Sequence, residues 1–125
     1  MPPPDEPILL RTQEDALAFA LVAELFRPFD RLLALADADG RARVVIVDPT
    51  DALVRRCGAV GLPVAVVVST EDAVAGPLRE RDIAAFRAAR ASFEAEGVDL
   101  VDWVMMTPDG ELYRSLSISI DVLGW

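Results

Sequence analysis

The chain has 125 residues, 53% of them hydrophobic, a length and composition that fit one domain with a sizeable core. Acidic residues outnumber basic ones by 21 to 12, and the net charge of −9 argues against a partner that presents a phosphate backbone. No run approaches the roughly 20 apolar residues of a membrane span, the single cysteine excludes an internal disulfide, and the absence of histidine and lysine removes the usual bases of nucleophilic triads.

The first stretch, "MPPPDEPILL", is acidic and proline-rich and lacks the basic n-region of a signal peptide, so a cytoplasmic protein is expected. Pro2, Pro3, Pro4 and Pro7 forbid a helix, which makes residues 1–11 an irregular arm and 12–125 the domain. Thr12 followed by Asp15 reads as a capping signal, and the apolar spacing from Leu17 to Phe26 predicts a helix over 13–27, ended near Pro28. "RLLALAD", the turn Ala38–Gly40 and "RARVVIVD" predict a hairpin. Thr50 or Asp51 caps a short helix through Cys57, stopped by Gly58.

"PVAVVVS" is a continuous β-branched run, the pattern of a strand buried on both faces. Glu80 to Glu96 predicts the longest helix, with Ile83, Phe86, Ala89 or Arg90, and Phe93 along one side and Gly97 after its end. "LVDWVMM" and "ELYRSLSISIDV" are predicted strands joined by "TPDG". In the second, Leu116, Ile118, Ile120 and Val122 alternate with Ser117, Ser119 and Asp121. A long alternating strand at a sheet margin invites pairing with another chain. The expected order is α-β-β-α-β-α-β-β, an α/β (α+β) sandwich with helices flanking a mixed sheet.

The stretch from Val64 to Ser117 resembles the JAB/MPN (JAMM) metalloprotease superfamily, most closely its bacterial RadC-like branch. That family has a strand ending in His-x-His-Pro, then six residues, Ser, two residues and Asp. Laid on this chain without gaps, the two histidines fall on Ser69 and Glu71, the proline on Asp72, the serine on Arg79 and the aspartate on Asp82. After the helix, Gly97, Val98, Leu100 and Val101 match a Gly-hydrophobic strand; Asp102 matches its aspartate, and Trp103 stands in place of a histidine. "PDGELYRSLS" resembles the closing turn and strand. The resemblance implies a cytidine-deaminase-like sandwich whose zinc would be held by two histidines and the aspartate. An upstream glutamate would serve as base, and Asp48 stands nearest its position. Only Asp82 survives of the ligand set.

The resemblance therefore implies a catalytically inactive JAB/MPN-like domain, with no resident metal or cofactor, serving as an interaction or structural module. Its partner would be a protein or a second copy of the chain, not a membrane or nucleic acid. The contacts would run through the last strand, the first helix, or the groove along Ser69–Leu78 and Trp103. The alternative is a hydrolase with a hard divalent cation on Glu71, Asp72 and Asp82; against it, these carboxylates are solvated or compensate the helix dipole. Arg79, three residues before Asp82, has the spacing to replace the lost cation by pairing with Asp82, and with Glu71 or Asp48, or else to stand exposed. Trp103 either fills the space of the missing ligands or forms a partner-facing hot spot. Arg79, Arg81, Arg87 and Arg90 share the long helix or its entrance with several acids, which predicts local salt bridges.

Overall fold

A computed structural model describes residues 8–71 and 76–124. Its helices are α1 (Gln13–Ala23), α2 (Asp51–Arg55), α3 (Glu80–Ala95) and α4 (Leu116–Leu123). The strands are β1 (Arg31–Ala36), β2 (Ala42–Val47), β3 (Val64–Thr70), β4 (Asp99–Met106) and β5 (Tyr113–Ser115). They form one mixed sheet in the order β2-β1-β3-β4-β5, with β3 and β4 parallel and the other pairs antiparallel. The α-plus-β class with a flanked mixed sheet thus matches the expectation. No helix among the described residues is long and apolar enough to cross a membrane.

The β-branched run of β3 is central, and Ala65 to Ser69 are all buried, as its two covered faces require. On one face, Val66, Val68, Val104 and Met106 pack under Ala16, Phe19, Ala20 and Ala23 of α1. On the other, Leu33, Ala65, Val67 and Trp103 meet Phe86 and Phe93 of α3. Thr12 caps α1 by accepting from the Asp15 amide at 3.1 Å.

Register across β3 and β4 shifts once. Ala65 pairs with Leu100 and Val66 with Asp102, leaving Val101 as the extra residue of a bulge. Through it Leu100 and Trp103 enter the same core although three positions apart. Arg90 reaches from α3 to the bulge and donates to the Leu100 and Val101 carbonyls at 3.4 and 3.5 Å. Its guanidinium lies over the Phe86 ring, 4.5 Å from the centroid.

Three boundaries differ from the sequence reading. The first helix is α-helical only to Ala23 and finishes as a 3-10 turn over Glu24–Phe26. The helix after Thr50 ends at Arg55, before the predicted Cys57; Cys57–Val60 form a 3-10 turn, and Gly61, not Gly58, takes the left-handed conformation at φ +80°. Residues 1–7 of the arm lie outside the described residues, but its end joins the fold: Leu9 bridges Arg41, and Leu10 is completely buried.

The fourth difference is larger. The alternating segment 111–122 is not one strand. Only Tyr113–Ser115 pair with β4, and Leu116–Leu123 wind into α4. Ser115 Oγ accepts from the Ile118 amide at 3.1 Å, an N-cap that turns the chain out of the sheet. Leu116 and Ile120, four residues apart, then pack on the α3 side of the core. The long sheet-margin strand expected to pair with another chain is therefore absent, and α4 stands in its place.

Candidate functional site

The end of β3 brings the sequence-derived site residues to the margin of the α3-side core. Ser69 pairs with Arg31 across β1, while Val67, two positions earlier on the same face, pairs with Trp103 of β4. This places the Trp103 indole beside Ser69, and Trp103 Nε1 donates to Ser69 Oγ at 2.7 Å. Both side chains are buried, Trp103 at 8% exposure and Ser69 at 2%. The Arg31 guanidinium lies over the indole, 5.4 Å from the ring centroid. Trp103 is thus a core-filling side chain with its one polar atom satisfied.

Just beyond, a charge cluster forms where the chain enters α3. Arg79 occupies the N-cap position in extended conformation, and Asp82 lies in the first helical turn. Arg79 Nε donates to Asp82 Oδ2 at 3.0 Å and Nη2 to Oδ1 at 3.2 Å, a two-pronged pair. The side chains are 33% and 12% exposed, so the pair is partly shielded from water. Glu71 is half-buried. Burial pushes its carboxyl up from the ordinary 4.5, and the Asp82 charge adds to the rise, while Arg79 and Arg31 oppose it. Glu71 Oε2 and the neighbouring Thr70 Oγ1 are buried without a hydrogen-bond partner among the described residues.

Two other sequence-derived positions lie outside this cluster. Asp48 closes the start of the sheet, with Oδ1 accepting from the Asp30 amide at 2.8 Å and the Arg31 amide at 3.0 Å. It adopts the left-handed conformation at φ +48°, which aspartate tolerates better than most residues. No ion pair joins it to Arg79 among the described residues.

Asp102 is completely buried at the junction of β4 with α4. Its Oδ1 accepts from the Trp103 amide at 2.7 Å and the Ser117 amide at 3.0 Å, and Oδ2 accepts from the Ser115 hydroxyl. Burial pushes its carboxyl up, and those three donors oppose the shift, as does the Arg90 charge. Asp102 therefore anchors the start of α4. Asp72, with the apolar loop residues Ala73, Val74 and Ala75, lies outside the described residues.

The cluster of Glu71, Arg79, Asp82 and Arg31 contains two carboxylates and two guanidinium groups. It can balance charge and bind polar groups, but it contains no imidazole, amine or thiol to act as a nucleophile or neutral base. Cys57 is 1% exposed, and burial raises its thiol pKa, the reverse of what an activated cysteine needs. No group of three or more metal-ligating side chains gathers among the described residues.

Sequence reasoning missed Arg31, Ser115 and Ser117. Arg31 was accessible in principle, because a hairpin feeding an antiparallel neighbour sets its first residue beside the end of that neighbour. The serines were hidden by the alternation they belong to. No family model, no curated protein and no solved structure matches this chain.

Proposed function

We propose that this chain is a catalytically inactive JAB/MPN-like domain that serves as a protein-interaction or structural module. One observation carries the reading: two of the three side chains at the positions of the resembled zinc ligands are already committed to other groups of the chain. Ser69, at the first histidine's position, accepts from Trp103, and Asp82, at the aspartate's position, is clasped by Arg79 at the serine's. The donor set does not fit zinc, because a buried hydroxyl and one carboxylate replace the two imidazoles, and a guanidinium already neutralises the remaining ligand. Arg79 supplies in place what the metal would have supplied, a positive charge beside Asp82.

Exposed apolar side chains support the module half of the reading. Leu21 of α1 and Leu25 of the 3-10 turn after it are 60% and 79% exposed, and Val122 and Leu123 of α4 are 77% and 58% exposed. Arginines give little support to a nucleic-acid role. Of the four on or before α3, Arg79 is held by Asp82 and Arg90 by the bulge carbonyls.

The alternative, a hydrolase with a hard cation on carboxylates, draws on the unpartnered buried oxygen of Glu71. Calorimetric titration of zinc, manganese, magnesium and calcium into the protein, repeated on Asp82→Ala, decides between them. The module reading expects no stoichiometric uptake of any of the four ions. One-to-one binding that disappears in Asp82→Ala would overturn it in favour of a rebuilt metal site.

A further inference from the structure

Between α2, α3 and the sheet lies a cavity of about 140 Å³. Leu33, Val54, Val67, Phe93 and Trp103 give it a mainly apolar lining, and Arg31 and Asp51 are its charged members. The Trp103 Nε1–H is already committed to Ser69, so the indole offers the cavity an apolar surface rather than an open donor. Arg31 is exposed, rests on the face of that indole, and forms no ion pair among the described residues. Apolar space and an oriented guanidinium with no ion pair among the described residues thus meet at one place.

We propose that this cavity binds a small monocarboxylic acid whose apolar body, a single ring or a short branched chain, fills the space while its carboxylate pairs with Arg31. Size sets the first limit: an engineered apolar cavity of about 150 Å³ holds benzene, so one ring is the natural occupant here. Charge sets the second. The guanidinium fork matches a carboxylate with two parallel hydrogen bonds, while Asp51 in the same lining disfavours a second negative charge on the ligand. The proposal does not depend on the JAB/MPN resemblance, because it uses neither Asp82 nor Arg79.

The test titrates phenylacetate and its neutral counterpart benzyl alcohol separately into the ¹⁵N-labelled protein. Amide shifts and the Trp103 indole N–H resonance are followed, the latter assigned with a Trp125→Phe variant. Saturable one-to-one binding of phenylacetate is expected, with shifts centred on Arg31, Val54, Phe93 and the Trp103 indole, and at least about tenfold tighter than benzyl alcohol. Arg31→Gln is expected to bring phenylacetate down to the level of the alcohol, and Ala89→Leu, which fills the cavity from α3, to abolish both. Equal affinity for the two compounds in the unaltered protein would overturn the proposal without recourse to any variant. Absence of saturable binding, or shifts confined to residues away from the cavity, would overturn it as well.

Discussion

Asp102 is a carboxylate with no exposed surface, and its pKa is raised from the ordinary 3.8, chiefly by burial. A carboxyl raised by folding favours the protonated state of the native protein. Its contribution is therefore fully present below the unfolded value and is lost as pH rises through the folded one. Asp102→Asn keeps an acceptor for the Trp103 and Ser117 amides and offers a donor to Ser115. Its stability profile by urea unfolding should be flatter than that of the parent from pH 4 to pH 8. Asp102→Ala leaves those donors unpaired and should cost about 2–4 kcal/mol across the range. Parallel profiles for the parent and Asp102→Asn would show that this carboxyl is not the source of the dependence.

The Arg79–Asp82 pair tests charge compensation at the head of α3. Removing the guanidinium leaves Asp82 and the half-buried Glu71 facing each other without it. Arg79→Ala should lower stability at pH 7 by about 1–2 kcal/mol, a modest value because Arg79 is one-third exposed. Chemical denaturation at pH 7 measures the loss, and an unchanged stability would remove Arg79 from its proposed role.

At the scale of elements, α4 is where local pattern and tertiary context part. Leu116, Ile118, Ile120 and Val122 alternate as a strand would, yet a helix needs only Leu116 and Ile120 to share a face. The tie is broken by Ser115, which caps the helix, and by Asp102, whose carboxylate binds the Ser117 amide and the Ser115 hydroxyl. The two arrangements make different demands on Val122. A half-buried strand would bury it in line with Leu116; in α4 it is 77% exposed. Val122→Glu is therefore expected to change stability by less than about 0.5 kcal/mol. A loss of about 2 kcal/mol or more in thermal or urea unfolding would favour the strand. Other elements were set locally: the buried run of β3, the hairpin of β1 and β2, and α3 with Ile83, Phe86 and Phe93 on its covered face.

For the whole molecule, one sheet with α1 on one face and α3 on the other was legible because the order of elements nearly dictates it. Periodicity, turn residues and caps are properties of neighbours in the chain, and among the described residues they set every α-helix and β-strand but β5 and α4 to within a few residues. The cluster at the head of α3 was half legible. Arg79 and Asp82 are three apart on one helical turn, a spacing that carries its own geometry. The rest was decided only by tertiary structure, because it joins residues far apart in the chain. Ser69 meets Trp103 through strand register, Asp48 turns to the Asp30 and Arg31 amides instead of Arg79, and Arg90 is drawn to carbonyls that a bulge exposes. Ser115 likewise becomes a helix cap, and Ser117 helix, only where a buried carboxylate 13 and 15 residues earlier accepts from them. Local sequence encodes which bonds a segment is able to make; which it does make depends on the partners that folding brings within reach.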